Sequence, residues 1–341
     1  MPGTLAERLT SQLLAGPPAT SAVDVAERLL AIQAQDPRGA RLAVRARSEG
    51  VGASDVDRAL TDERTLLITT LNRGTLHMVR SEDYPWLQAV TTPPLVQWNA
   101  RRLEQEGLSP ADSERAVTLL ERWLGEDGPL TRPQLRERLT AAGIRIQGQA
   151  LPHVVMAASL RGLIVRGPMV GKQHAFALVR NWLGEQRPVD RDTARAELAR
   201  RYLAGHGPAS DRDLARWSGL PLRDVRAGLE ASARELVQRD DGLLDLAGKP
   251  TAADVPEPRL LGSFEPVLLG WTSRDDILGE NEGAIVRGGL FRPFAMVRGR
   301  GVATWRLNGN SVELEPFEPI SRADMAALRR DAGGVERFLS T

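Results

Sequence analysis

Apolar residues at Val25, Leu29 and Ile32, with Ala26 and Leu30 beside them, recur at helical spacing and predict an amphipathic helix over 22–34. Pro37 disfavours the helical conformation at Asp36, so this helix is expected to end about Gln35. After a second helix at 53–61, "TLLITTLNRGTLHMV" alternates and is rich in β-branched residues, the mark of a hairpin. The same order returns twice. A helix at 131–142 and another at 150–161 lead into "LIVRGPMVGKQHAFALV", two strands around a Gly/Pro/Lys turn. Further on, "DRDLARWSGLPLRD" passes through a tight turn into a helix at 222–237, and "LVQRDDGLLDLA" reads as strand, turn and strand.

Each of these three segments opens with Gly-Pro and a small hydroxyl residue. Ser21, Thr131 and Ser210 supply N-cap oxygens, with Asp24, Gln134 and Asp213 three residues later in capping-box positions. Helix, turn, helix and hairpin is the layout of a winged helix. The expectation is therefore an α+β fold of three tandem winged-helix units, with a strand-rich C-terminal region. The units are placed at 1–108, 109–185 and 186–341, with linkers near 106–114 and 181–193. In the last third, "RLLGSFEPVLLGWTSRDDIL" reads as strand-rich, "RPFAMVRGRGVATWRL" as a hairpin, and 321–339 as a closing helix.

Composition narrows the chemistry. The 341 residues are 42% apolar and 26% charged, ordinary values for a globular protein. A net charge of +1 gives no global positive field. Positive charge is almost all arginine, since Lys172 and Lys249 are the only lysines. With no cysteine, thiolate metal sites and thiol nucleophiles are excluded. Neither a signal peptide nor a membrane-length apolar run is present, so a soluble, cytoplasmic protein is expected. The four histidines (77, 153, 174 and 206) lack metal-ligand spacing. "GPMVGK" is one residue short of a phosphate-binding loop, and Gln173 stands where Ser or Thr is required. No metal and no nucleotide cofactor are expected.

"AIQAQDP" places two carboxamides, Gln33 and Gln35, just ahead of Asp36. They serve either as helix-end caps or as a site. If the chain there is extended, both side chains lie on one face. Carboxamides donate and accept hydrogen bonds but are too weakly basic to abstract a proton. They suit only a bond that is already labile, such as the glycosidic bond of a cationic N7-alkylated purine.

The segments 29–47, 71–87, 199–220 and 259–275 carry a broader likeness, especially through "RGTLH" and "HGPAS-x2-D-x3-W-SGL". On these residues the chain resembles the AlkZ/YcaQ-type winged-helix DNA glycosylases of bacteria, in the branch with a Gln-apolar-Gln element. The resemblance implies three tandem winged helices around a DNA-binding channel, and monofunctional excision of N7-alkylguanine, including interstrand cross-links in some members. It gives Gln33 and Gln35 the catalytic role and leaves Asp36 structural. Double-stranded DNA carrying alkylated purines is the expected partner, and the protein a monomer. DNA contacts are assigned to Arg38, Arg41, Arg166, Lys172, His174, Arg298 and Arg300, while Arg73 and His77 read as a fold-stabilising cluster. The competing reading is a non-catalytic winged-helix regulator. Helix 222–234 mixes acidic residues among its arginines, which suits a major-groove reader poorly.

Overall fold

The computed structural model describes residues 3–171, 173–186, 188–249 and 252–340. The chain divides into two compact units, Met1–Asp57 with Arg195–Thr341, and Arg58–Ala194. The Asp57/Arg58 boundary falls inside the first of the three segments expected from the repeats.

The first unit begins with α1 (Gly3–Ser11), α2 (Ala22–Leu29), the short strand β1 (Ile32–Gln33) and α3 (Pro37–Arg45). Helix α4 (Ala53–Thr61) carries the chain across the boundary.

The second unit continues with the hairpin β2 (Leu66–Thr70) and β3 (Leu76–Arg80), then α5 (Tyr84–Thr91), α6 (Pro93–Gln105), α7 (Pro110–Glu126), α8 (Arg132–Ala141) and α9 (Ala150–Leu160). A second hairpin, β4 (Ile164–Val170) and β5 (Gln173–Leu178), and the short α10 (Val179–Leu183) follow. Strands β3, β2, β4 and β5 lie side by side in that order, all antiparallel. A bulge between Arg166 and Met169 accommodates Gly167 and Pro168, which cannot continue a regular ladder. Helix α9 packs against α6 and α7 over a core that includes Leu120, Leu135, Leu151, Val154 and Phe176.

Helix α11 (Arg191–His206) returns the chain to the first unit. There α12 (Asp211–Ser218), α13 (Leu222–Ala231), β6 (Leu236–Gln238) and β7 (Leu244–Leu246) form the helix, turn, helix and hairpin read from the third repeat. Helix α13 is shorter than expected. It stops because Ser232 turns its hydroxyl onto the carbonyls of Ala196 (2.9 Å) and Gly228 (3.0 Å), and a 3-10 turn follows. The chain continues through β8 (Arg259–Leu261), α14 (Asp275–Leu278), α15 (Glu282–Ile285), the small pair β9 (Val286–Arg287) and β10 (Leu290–Phe291), β11 (Phe294–Val297), β12 (Arg300–Asn308), β13 (Ser311–Pro316) and α16 (Arg322–Ser340). Only β8 in the 259–278 stretch is a strand. Beyond it Pro266 starts a 3-10 turn that Glu265 caps, so the apolar run there is buried turn rather than sheet.

Strands β13, β12, β11 and β8 form an antiparallel sheet. Helix α16 covers it, packing Leu328, Val335 and Phe338 on Trp305, and Leu42 of α3 joins the same core. All three N-caps read from the sequence are present, at Ser21, Thr131 and Ser210. Among the described residues no helix is long and apolar enough to cross a membrane.

Candidate active site

Helix α2 ends at Leu29, six residues before the predicted end, because Leu30 takes a left-handed turn (φ 64°). The physical reason lies in the sequence. Residues 29–34 are all buried, a continuous run that leaves no polar face for a surface helix. Helix α11 closes the end of α2. Gly205 sits so close to the Arg28 carbonyl that any Cβ would overlap it, and Arg201 donates to the carbonyl of Glu27 (2.9 Å).

Beyond Leu30 the chain is extended through Ile32 and Gln33 and bends at Gln35 and Asp36. Gln33 is buried, 7% exposed, whereas Gln35 is exposed. Asp36 caps α3, its Oδ1 accepting from the Arg38 amide (3.0 Å), and Pro37 fills the first helical position. Asp-Pro is therefore a helix start as much as a helix end, a signal present in the sequence and read only in the second sense. Helix α3 is held by its backbone. A Cβ on Gly39 would overlap the carbonyl oxygen of Ser263, and one on Gly262 would sit 3.1 Å from Gly39 Cα. Gly39, Gly205, Gly262 and Arg201 are thus positioning residues that sequence reasoning missed. Their signal was the glycines inside the quoted segments.

Deeper in the unit, Arg47 and Glu265 form a fully buried ion pair, and Arg47 also donates to the Gln12 carbonyl (2.7 Å). Arg45 pairs with Asp331 of α16 (2.9 Å), whose Oδ2 also accepts from the Leu260 amide (2.7 Å). The motif residues at 199–220 and 259–275 build an aromatic knot. Tyr202 stacks on His206 (4.8 Å) and donates to the Gly270 carbonyl (2.7 Å), and Trp271 donates to the His206 carbonyl (2.9 Å). Asp213 accepts from Ser210 and Thr272. Burial opposes its ionisation, but those hydrogen bonds outweigh burial and hold the carboxyl below the ordinary aspartate range.

The sequence-assigned DNA contacts sit in several settings. Gln33, Gln35, Arg38 and Arg41 share one continuous segment. Arg38 is exposed on the first turn of α3, whereas Arg41 is engaged by Asp57 and by the Pro37 carbonyl (2.9 Å). Arg298 and Arg300 are exposed at the β11–β12 turn, with Arg298 3.3 Å from Asp324. In the second unit Arg166 lies over the Phe176 ring (4.4 Å), and burial, with the charge of Arg132, pushes its pKa down to about 10. His174 is bound through Nδ1 to the Gly167 carbonyl (2.9 Å). Lys172 lies outside the described residues. His77 is buried, with Nδ1 on the Thr75 carbonyl (3.0 Å). Burial, aided by the charge of Arg73, pushes its pKa down to about 3, which favours the neutral imidazole.

The model of a family described as "DNA glycosylase AlkZ-like" matches residues 26–338. The chain belongs to this family. It is a DNA N-glycosylase, which sets aside the regulator reading. Among its relatives is the "Interstrand DNA cross-link repair glycosylase" of Streptomyces sahachiroi, 26% identical over 355 residues that cover 97% of this chain and 94% of the relative. The solved structure of "Streptomyces sahachiroi DNA glycosylase AlkZ" superposes with a TM-score of 0.82 at 25% identity, covering 99% of this chain and 96% of the other. Both likenesses span the Gln33-to-Asp36 segment and the elements that brace it.

Proposed function

We propose that this glycosylase excises N7-alkylguanine, including bulky adducts and interstrand cross-links, in repair or in self-resistance to a DNA-alkylating product. Gln33 and Gln35 are its catalytic residues. The observation that carries this reading is the placement of Gln33 at the end of β1 and Gln35 at the bend before α3, in the short link between α2 and α3. A second support is the cross-link repair activity named for the Streptomyces relative.

Alkylation at N7 leaves the base cationic. When the C1′–N9 bond breaks, its electron pair passes into the purine and neutralises it, so no acid is needed. The sugar is left as an oxocarbenium ion. The carboxamide oxygens of Gln33 and Gln35 accept hydrogen bonds from a water and turn their negative dipole ends to the cationic sugar. Water oxygen bonds to C1′ and its proton passes to solvent. Strand cleavage through a Schiff base would need a free amine, and Lys249 is committed to Asp245 (2.8 Å) and the Gly207 carbonyl (2.7 Å). With Lys249 so engaged, and on the resemblance of the chain to its family, we read the enzyme as monofunctional and as working without a metal or nucleotide cofactor. In this reading the repeats are three tandem winged helices around an open channel. That channel contacts the sugar and leaves a bulky base outside, and the protein acts as a monomer.

Release of N7-methylguanine from a defined duplex, and unhooking of an N7-guanine cross-link, test the proposal. Gln33→Ala and Gln35→Ala should each slow base release by roughly one to three powers of ten, the effect of removing one oriented donor or acceptor. DNA affinity should stay within a few-fold. Full activity in both variants would move the active site elsewhere, and no release of either substrate by the wild type would reject the substrate class.

A further inference from the structure

Of the large apolar side chains left exposed among the described residues, one is aromatic. Trp98, on α6, is 47% exposed. An exposed indole offers a broad flat apolar surface of the kind enriched at interfaces. It stands in a built setting inside the second unit. Gly74, in the β2–β3 turn with φ 77°, brings its backbone up to the ring, where a Cβ would lie 3.8 Å from Trp98 Cζ3. His153 of α9 meets the indole edge-on, with ring centroids 5.9 Å apart.

The His153 ring is fixed by a buried amide. Asn99 Nδ2 donates to the His153 carbonyl (3.0 Å), so Asn99 Oδ1 is the atom that faces the imidazole (2.8 Å). Oxygen there can only accept, so His153 Nδ1 carries the proton and Nε2 is left as an acceptor. Arg101 and Arg102 follow Trp98 by three and four positions and so share its side of α6. Arg101 is exposed, whereas Arg102 is engaged by Gln105 (2.7 Å) and Glu106 (3.4 Å). A flat apolar face, a fixed acceptor beside it and the exposed Arg101 guanidinium match the parts of a nucleotide: a ring to stack, an amino group to accept from, and a phosphate to pair with.

We propose that Trp98 and His153 form a base-stacking subsite, distinct from Gln33 and Gln35, that takes an unpaired DNA base bearing an exocyclic amino group. The inference rests on the reading of the chain as a DNA-acting enzyme. It adds a role for the second unit, the capture of a base already displaced from its stack. Fully paired DNA offers no such base, so the subsite discriminates distorted from regular duplex.

The test uses the full-length protein and two duplexes, one fully paired and one with a single bulged 2-aminopurine. The wild type should bind the bulged duplex more tightly and quench the 2-aminopurine fluorescence. Trp98→Ala should weaken bulged-duplex binding by about five- to a hundredfold, as loss of one stacked base predicts, and remove the quenching. Binding of the paired duplex should change less than about twofold, because phosphate contacts carry it. Trp98→Phe should restore most of both signals, and His153→Ala should keep the quenching while lowering the affinity. Equal binding of the two duplexes by the wild type, or unchanged quenching in Trp98→Ala, overturns the subsite. Base release from N7-methylguanine is measured in parallel. Trp98-dependent bulge binding without base release would reject the proposed substrate and leave the subsite standing, and the converse would do the reverse.

Discussion

Asp36 is the one carboxylate in the stretch Gln33–Arg38, and a carboxylate beside two amides invites the role of general base. Its geometry gives it a different task. Oδ1 accepts from the Arg38 amide (3.0 Å) and caps α3, with Pro37 next in line. Asparagine caps as well as aspartate but cannot take a proton. Asp36→Asn should therefore leave base release within about threefold of wild type, while Asp36→Ala should cost about 1 kcal/mol of stability. A single-turnover assay and a denaturant titration separate the two. A hundredfold loss in Asp36→Asn would restore the carboxylate to the chemistry. At this scale the sequence was informative where a residue type is unusual for its setting: paired neutral amides stand out in an apolar run and carry the proposed site. Arg41 and Arg166 were less legible, since an arginine's letter does not say whether it meets a phosphate, Asp57 or the ring of Phe176.

At the scale of elements, periodicity located nearly all the helices and hairpins that it was applied to. Helix 53–61, the pair at 131–142 and 150–161, and the β11–β12 hairpin agree with the structure to within a residue or two. Besides α13 and the 259–278 stretch, the misses fall at the Gln33–Gln35 segment. Helix α2 stops at Leu29 and α3 starts at Pro37, where a single helix followed by a basic stretch was read. The start of α3 was written in Asp36-Pro37, whereas burial closes the end of α2, and neighbours remote in sequence leave only a glycine as their trace. Gly39 is the sharpest example. Its missing side chain lets α3 rest on the backbone of Ser263, a contact that no rotamer change can relieve. Gly39→Ala must push α3 away, and Gln35, four residues earlier, moves with it. The expected loss of base release is of order a hundredfold, typical of a displacement near 1 Å in a positioned reactant. DNA affinity should change little, because no cation is removed. If Gly39→Ala cuts at wild-type speed, the brace on α3 is unnecessary.

For the molecule as a whole, a net charge of +1 places the burden of DNA binding on local cations. Arg38 is exposed next to the proposed catalytic segment, while Arg41 is neutralised by Asp57. Plotting log affinity against log salt concentration distinguishes them. Arg38→Ala should lower the slope by about one counterion, and Arg41→Ala should lower it by much less. Equal effects would mean that the Arg41–Asp57 pair opens on DNA. The mixed α and β content was legible at this scale because three capped helix starts each lead to a hairpin. The two-unit division was not, because compactness joins segments that the linear pattern keeps apart.

That joining has a consequence for how the enzyme is made. Gln33 and Gln35 leave the ribosome early, yet the residues that hold their surroundings come late: Gly205, Ser263 and, paired with Arg47 across 218 residues of chain, Glu265. At about 5–20 residues per second, Arg47 waits roughly 10–45 s for its partner. Through that interval the whole Arg58–Ala194 unit is synthesised while the N-terminal stretch has no finished core to join. A nascent or truncated chain thus carries the two amides proposed as catalytic without the scaffold that aims them, and on that proposal translation itself delays activity until the final third of the protein has emerged.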